Sequence, residues 1–392
     1  MTTAAGGRTP WTDPDVLSYR DLLPGPDRAR LDAAREVFDR CLRPLVPAHW
    51  DAGTFPDAAV AALAPLDLVA LAAEPGRALL HGLVHVELAR VDLSLSVFLG
   101  VQGVLVAEAL RRLGSDEQRA RYLPDLRALR RVGAFALTEP EHGSDISRHM
   151  ATTAVRSGGS WTLRGTKRWI GNGTHADHLL VWARDTADGE IKGFLVDRGT
   201  PGLRTSPVGP KIGLRIVQNA DVVLDDVVVG DDRLLEGATG FAATNDLLTS
   251  SRLWVAWQTV GLQFAAYDQA LAYTLGRVQF GRPVAATQLV QEKLVRILEN
   301  ATTTLGLLVR LAQLQDEGRL RAEHAALAKA SGSARMRESV AAARALLGGN
   351  GLATAHGVGR TFCDAEALYS YEGSHEINTL VVGRAVTGLS AF

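Results

Sequence analysis

The sequence predicts an α+β protein whose helices and strands are segregated along the chain. Residues from about 15 to 131 and from about 237 to 392 are helical in texture, rich in Ala, Leu and Arg. Between them, about 132 to 236, the texture changes to Gly, Asp, Thr and Val in short runs, as in strands joined by turns. The length of 392 residues suits two to three domains at roughly 150 residues each. We place the domains at 15–131, 132–236 and 237–392. No internal repeat is visible.

In the first zone, Ala34, Val37, Phe38, Cys41 and Leu45 recur three and four apart and predict a helix over Leu31 to Leu45. Pro44, Pro47 and Pro56 break it. Gly82 to Leu113 is largely apolar or small and reads as helix buried on several sides. In the middle zone, Trp161 to Leu163, Leu179 to Ala183, Gly193 to Val196 and Ala220 to Val229 read as strands. Gly158-Gly159, Asp188-Gly189 and Asp225-Asp226 supply turn chemistry. In the last zone Leu294, Ile297, Leu298, Ala301, Leu305 and Leu308 form one stripe on a long helix that Gly306 and Gly318 weaken or end. A second helix, Ala322 to Leu347, stops at Gly348-Gly349-Asn350-Gly351.

Composition narrows the function classes. The chain is 46% apolar and 22% charged, ordinary for a globular protein, which excludes long disorder and collagen. Cys41 and Cys363 are expected as buried thiols, too few for a disulfide scaffold. The balance of 42 basic against 43 acidic side chains leaves no polycationic surface for nucleic acid. Lys occurs only at 167, 192, 211, 293 and 329, a rarity that reads as codon usage. The most apolar early stretch, Ala58 to Ala73, contains Pro65 and Asp67 and falls short of the ~20 residues of a membrane span. Met1 to Pro14 has no basic segment followed by an apolar one, and the end Leu389-Ser390-Ala391-Phe392 is not a peroxisomal tripeptide. The expectation is a cytoplasmic protein with no membrane partner.

Five stretches carry candidate chemistry. Phe135 to Asp145 runs from a strand through Thr138-Glu139-Pro140 to a Gly143-Ser144-Asp145 turn. Its N–H groups and hydroxyls suit a polar ring edge or a phosphate. Gly165 to Gly173 places Trp169 at a strand end among small residues, where its face can meet a planar ligand. Arg277 to Pro283, with Gln288 beyond, sets two Arg beside Phe280, suited to a diphosphate. Gly348 and Gly349 lack Cβ atoms and permit close approach. Tyr369 to Glu376 holds Glu372 just before Ser374, a helix N-cap, with Glu376 in the first turn. A carboxylate there can serve as a base where apolar walls raise its pKa. Each stretch alone also reads as an ordinary turn, loop or helix stop. None matches a zinc spacing, a Walker A loop or a nucleophile elbow.

Taken together and in this order, over about residues 85 to 392, these stretches resemble the acyl-CoA dehydrogenase family. The wording of Lys211 to Arg215, Arg277 to Pro283, Leu346 to Gly351, Tyr371 to Asn378 and the closing residues is most similar to its glutaryl-CoA dehydrogenase and short-chain acyl-CoA oxidase branch. The resemblance implies an N-terminal helical domain, a central β-barrel-like domain and a C-terminal four-helix bundle, assembled as a homodimer or homotetramer around FAD. It implies that Phe135, Leu137 and Thr138 line the flavin's polar edge and that Trp169 stands against the ring. Ser144 would contact the CoA or flavin phosphate portion. Arg277, Phe280 and Gln288 would come from the neighbouring subunit to the diphosphate and adenosine, and Gly348 and Gly349 would let the same half pass. Ser374 and Glu376 fall where the family often has Thr and Gln touching FAD.

By the same resemblance Glu372 is the catalytic base and Arg252 its neighbouring cation. Ser251 occupies the place that some members use for an alternative base. Glu372 would take the α-proton of an acyl thioester, on CoA or a carrier protein, while the β-hydride goes to flavin N5. Ser96, Leu99, Ser144, Tyr371 and Gly373 would face the substrate. Glutaryl-specific members place an Arg where this chain, after Arg90-Val91-Asp92, has Ser96. The substrate is therefore expected to be uncharged, short or branched. The family's usual Trp-Ile-Thr-Asn reads Trp169-Ile170-Gly171-Asn172 here, as in the oxidases, and Gly171 would open space beside the flavin. Either an electron-transfer flavoprotein or O₂ then serves as acceptor. A flavin monooxygenase on the same fold is the alternative, disfavoured because such members commonly lose the Glu.

Overall fold

The computed structural model describes residues 9–391. Residues 1–8 and 392, on which parts of both terminal signals fall, lie outside the described residues. The first zone holds α1 (Gly25–Val37), α2 (Val46–Ala52), α3 (Asp57–Leu63), α4 (Ala78–Val91), α5 (Leu93–Gly100), α6 (Glu108–Leu113) and α7 (Asp116–Arg127). The second holds β1 (Gly133–Ala136), a short α8 (Ile146–His149), β2 (Thr153–Ser157), β3 (Ser160–Ile170), β4 (His178–Asp185), β5 (Ile191–Asp197), β6 (Leu203–Pro207) and β7 (Ala220–Gly230). The third holds α9 (Phe241–Gly276), the hairpin β8 (Val278–Gln279) and β9 (Arg282–Pro283), then α10 (Gln288–Asp316), α11 (Ala322–Leu346), α12 (Val358–Ser370) and α13 (His375–Thr387). The segregation expected from texture is what the chain adopts.

Strands β1 to β7 form one sheet in the order β1-β4-β2-β3-β7-β6, with β5 also on β4. It is mixed: β1 and β2 run parallel to β4, and β5 antiparallel. Side chains alternate in β4. Leu179 and Val181 join Trp161, Leu163 and Phe194 in a core belonging to the sheet. Leu180 and Trp182 face the other way, into the large core shared with the helices. One carboxylate ties the zones: Asp364 of α12 accepts from Trp50 Nε1 of α2 at 3.1 Å and from the Leu214 N–H at 2.7 Å.

In the third zone α9 and α11 pack along each other, with α10 and α12 against both and α13 on α11. The predicted stripe on α10 buries Leu294, Ile297, Ala301, Leu305 and Leu308, and Gly318 takes φ +67° just past its end. Where α9 crosses α4 and α5, Gly82 faces the Trp257 indole and Gly100 faces that of Trp254. A Cβ on either glycine would overlap the ring.

Several local expectations are corrected. The pair Asp225-Asp226 lies inside β7, where the register slips opposite Arg164; Asp226 takes φ +55° and pairs with that Arg as a β-bulge. The helix over Gly82 to Leu113 breaks at Asp92, whose carboxylate accepts from the Leu95 N–H at 3.2 Å and caps α5. The helix over Leu31 to Leu45 ends at Val37 and continues as a π-turn over Phe38–Leu42 and a 3-10 turn over Arg43–Leu45. Leu42 is buried there, while Cys41 and Leu45 are half-buried. Cys363 is also half-buried, so neither thiol is a core group. The most apolar helical stretch is Leu93–Leu113 (mean hydropathy 1.8), not Ala58 to Ala73. It is long enough to cross a membrane, yet its apolar part, residues 93–110, is wholly buried in the protein core.

Candidate active site

Glu372 sits on a turn built by the ends of two helices. α12 stops at Ser370 and α13 begins at His375, where Ser374 Oγ accepts from the Ile377 N–H at 3.3 Å. Between them Glu372 and Gly373 both take left-handed backbone, φ +54° and +80°. A side chain at such φ is uncommon and is held only where the surroundings over-determine it. Here they do. Lys329 Nζ of α11 donates to the Tyr369 and Gly373 carbonyls at 2.9 and 2.7 Å. Asn378 Nδ2 of α13 donates to the Gly373 carbonyl at 2.8 Å and that of Ser374 at 3.1 Å.

The carboxylate meets the start of α9. Glu372 Oε2 accepts from Ser251 Oγ at 2.5 Å. Burial pushes its pKa up, and Ser251, Arg252 and Lys329 oppose this only in part, so the carboxyl stays above its ordinary value. Arg252 is drawn below its ordinary value by burial, and its Nε is buried without a hydrogen-bond partner.

From this turn a chain of polar side chains runs inward. Tyr371 Oη donates to Gln258 Oε1 at 2.8 Å, and Gln258 Nε2 donates to Ser96 Oγ at 2.9 Å. Ser96 Oγ lies 2.9 Å from His85 Nδ1, which also accepts from Trp254 Nε1 at 3.1 Å. Burial holds His85 far below its ordinary pKa and His81 at about 4, so both are neutral at pH 7. Arg90 is committed to Asp268 at 2.6 and 2.9 Å. Ser96 and Leu99 are fully buried, with Ser96 tied into this chain.

A second group gathers where β1 and β3 end side by side. The Arg168 N–H donates to the Thr138 carbonyl at 2.9 Å, and Asn172 Nδ2 to that of Gly133 at 3.3 Å. Beneath lies a buried ion pair. Lys167 Nζ, wholly buried, donates to Glu139 Oε1 at 2.9 Å and to the Leu137 carbonyl at 3.0 Å. Burial brings Lys167 down to about 8, and Glu139 counters it. Glu139 also accepts the Ala151 and Thr152 N–H groups at 2.7 and 2.9 Å.

Above this pair Thr138 is half-buried, while Trp169, at φ +64°, is 52% exposed. The side chains of Phe135 and Leu137 turn into the core, Phe135 against Trp182, so their backbone is what faces this edge. Gly171 is less open than expected: a Cβ there would stand 3.3 Å from a Val101 methyl. Ser144 is exposed on a turn where one Asp145 oxygen meets His142 Nδ1 at 3.1 Å and His149 Nδ1 at 3.0 Å.

The remaining predicted residues lie at the other end of α9. Arg277, Phe280 and Gln288 are exposed, Phe280 completely. An open cavity of ≈ 440 Å³ beside them is lined by Arg282, Ala286, Thr287, Gln288 and Leu289. Gly348 and Gly349 are exposed at the end of α11, with nothing within 4 Å of a Cβ at either. From Ser251 to Arg277 is roughly 39 Å of helix at 1.5 Å per residue, so this group and Glu372 of the same chain do not share one site. The larger surface cavity, ≈ 490 Å³ between Pro10 and Arg28, holds none of the predicted residues. Glu376 is exposed, and its carboxyl is held below its ordinary value first by Ser374.

The sequence reading missed Lys167, Glu139, Lys329 and Asn378 as supports, and Ser251 as a partner of Glu372. For the two lysines the one signal was their scarcity in an Arg-rich chain.

The donor set fits a flavin dinucleotide. Trp169 offers an exposed aromatic face beside backbone polar groups, Arg252 Nε lacks a partner, and Gly348 and Gly349 leave room for close approach. A half-buried carboxylate with a raised pKa, together with such an edge, is the equipment of a flavin-dependent dehydrogenase. Family models for the N-terminal, middle and C-terminal domains of acyl-CoA dehydrogenase match residues 27–129, 134–227 and 238–387. The human mitochondrial short-chain specific acyl-CoA dehydrogenase is 31% identical over 382 residues, 95% of this chain and 92% of its own. A glutaryl-CoA dehydrogenase structure from Mycobacterium smegmatis superposes with a TM-score of 0.91 at 34% identity, covering 96% of this chain and 98% of its own. Another from that organism, in complex with FADH₂, gives 0.93 at 31% identity, covering 97% and 99%. The chain belongs to the acyl-CoA dehydrogenase family and is an FAD-dependent oxidoreductase.

Proposed function

We propose that this protein desaturates a short or branched, uncharged acyl thioester between Cα and Cβ, with Glu372 as the base. The carrying observation is the Glu372 turn: a half-buried carboxylate of raised pKa, fixed in left-handed backbone and steered by Ser251 and Arg252. Glu372 takes the α-proton. Its backbone N–H supports the charge that develops on the thioester carbonyl. The apolar surroundings exclude water. FAD, when bound, supplies the hydride-accepting ring.

In this reading Thr138, the Phe135 and Leu137 backbone, Trp169 and Gly171 hold the ring edge. Ser144, Ser374 and Glu376 lie toward its tail or CoA. Arg277, Phe280 and Gln288, with Gly348 and Gly349, serve the site of a second copy, because the length of α9 takes them beyond their own Glu372. A homodimer or homotetramer follows, with the three domains divided at 131/132 and 236/237 and the enzyme acting in the cytoplasm. Tyr371 and Gly373 border the acyl group, with Ser96 and Leu99 behind them.

No cation stands near Ser96 among the described residues: His81 and His85 are neutral and Arg90 is paired. A distal carboxylate would be buried without a partner there, at a cost of several kcal/mol. Anaerobic flavin bleaching with a CoA panel tests this. Butyryl- or isobutyryl-CoA is expected to reduce the flavin faster than glutaryl-CoA, and the reverse order would refute the substrate class.

Gly171 places no hydroxyl beside the ring, which leaves O₂ as an acceptor alongside an electron-transfer flavoprotein. Gly171→Thr, which must press Val101 aside by a few tenths of an ångström, is expected to slow reoxidation by air with FAD retained. Slow reoxidation of the wild type, unchanged by the substitution, would make the flavoprotein the acceptor.

A further inference from the structure

Lys329 is the one cation of α11 that is completely buried, and its Nζ spends its donors on the Tyr369 and Gly373 carbonyls at 2.9 and 2.7 Å. Those two carbonyls bracket Glu372, with Ser370 and Tyr371 also between them. The groups facing the carboxylate are Ser251 and Arg252 from α9, Lys329 from α11, and Tyr371 on its own turn. Glu376, at the start of α13, faces Lys329 in turn. A buried ammonium normally needs a carboxylate touching it. Among the described residues Lys329 has none in direct contact, and Glu372 and Glu376 act on it through space.

We propose that Lys329 is a positioning residue for Glu372: it holds the left-handed turn through two carbonyls and is a second buried countercharge to the carboxylate beside Arg252. This rests on the reading of Glu372 as the base. Burial leaves the Lys329 ammonium with a pKa of about 8, so the countercharge is present at neutral pH. Removing it lets burial raise the Glu372 carboxyl further, and the form able to accept a proton is lost at a higher pH than in the wild type. A lysine that served only to pack α11 would change stability without moving that limb.

The test is anaerobic reduction of the FAD enzyme by butyryl-CoA from about pH 5.5 to 9, for the wild type, Lys329→Met, Lys329→Arg and Glu372→Gln. Lys329→Met is expected to keep FAD, to lower the limiting reduction rate at least about tenfold at pH 7, and to move the acid limb up by about one pH unit. The half-saturating butyryl-CoA concentration should change by less than about threefold, since the lysine does not touch substrate. Lys329→Arg, which keeps the charge, is expected to leave the limb in place. If Lys329→Met cannot hold FAD, Lys329→Gln, which keeps a donor and drops the charge, is read in its place. An inactive Glu372→Gln together with an unmoved limb in the lysine variant overturns the role of Lys329 alone. A fully active Glu372→Gln overturns the base itself.

Discussion

Glu372→Gln is expected to retain FAD and bind acyl-CoA while reducing its flavin at least ~10³-fold more slowly, because a positioned general base is worth roughly 10² to 10⁴. The amide matches the carboxylate in shape and can still accept from Ser251 Oγ, which lies 2.5 Å away in the wild type. Lost activity is therefore lost chemistry. The same substitution has a second, opposite effect. Burial raises the Glu372 carboxyl, so the folded state binds that proton more tightly than the unfolded chain does. Its contribution to stability is full below the unfolded value and is lost as pH rises through the raised folded one. The neutral amide escapes that loss, so the variant is expected to melt at a higher temperature than the wild type at pH 8. Stopped-flow bleaching and a melting curve measure both. A reduction rate within about tenfold of the wild type would remove Glu372 from the base role.

Lys167→Met is expected to be the most destabilising single change in the sheet. Breaking one side of a buried ion pair costs about 3–5 kcal/mol, since the remaining charge is stranded. Glu139 would keep its bonds from Ala151 and Thr152 but lose its cation, and the Leu137 carbonyl would lose its donor. That carbonyl lies just before Thr138 and anchors from beneath the edge assigned to the flavin, so FAD occupancy should fall with stability. Adding Glu139→Gln removes the stranded charge and should recover much of the loss. Urea unfolding of the two variants decides it, and a single variant within about 1 kcal/mol of the wild type would show the pair to be dispensable. The pair also sets an acid limit. Burial raises Glu139, but Lys167 and the two N–H donors outweigh it, leaving a lowered pKa. Its contribution is present above the ordinary Glu value and is lost as pH falls through the lowered one.

What could be read from the sequence was whatever repeats at short range. Helical period, strand texture, the Ser374 cap and the stop after Leu346 are local patterns, and the chain realises them. Asp226 was read as a turn residue and Asp92 was passed over inside one long helix, because a carboxylate in a bulge or at a helix cap carries no local mark; only the neighbouring strand or helix distinguishes them. The lysines show the limit most clearly. Their scarcity was visible, but its meaning was not. Lys167, Lys211 and Lys329 each direct Nζ to backbone carbonyls, those of Leu137, of Leu214 and Val217, and of Tyr369 and Gly373. A compact ammonium fits such a cluster of oxygens where a planar guanidinium does not, which accounts for Lys at three of its five positions in an Arg-rich chain. No sequence spacing announces that, because the partners come from distant elements.

The two indoles seated against Gly82 and Gly100 act at a distance from themselves. Trp254 and Trp257 lie within two turns of Ser251 and Arg252 on one rigid helix, so α9 cannot slide or rotate against α4 and α5 without driving a ring into a backbone. The alignment of the serine and arginine with the carboxylate is thus keyed by core packing rather than by the polar contacts themselves. Each glycine and its tryptophan form a lock whose halves can change only together.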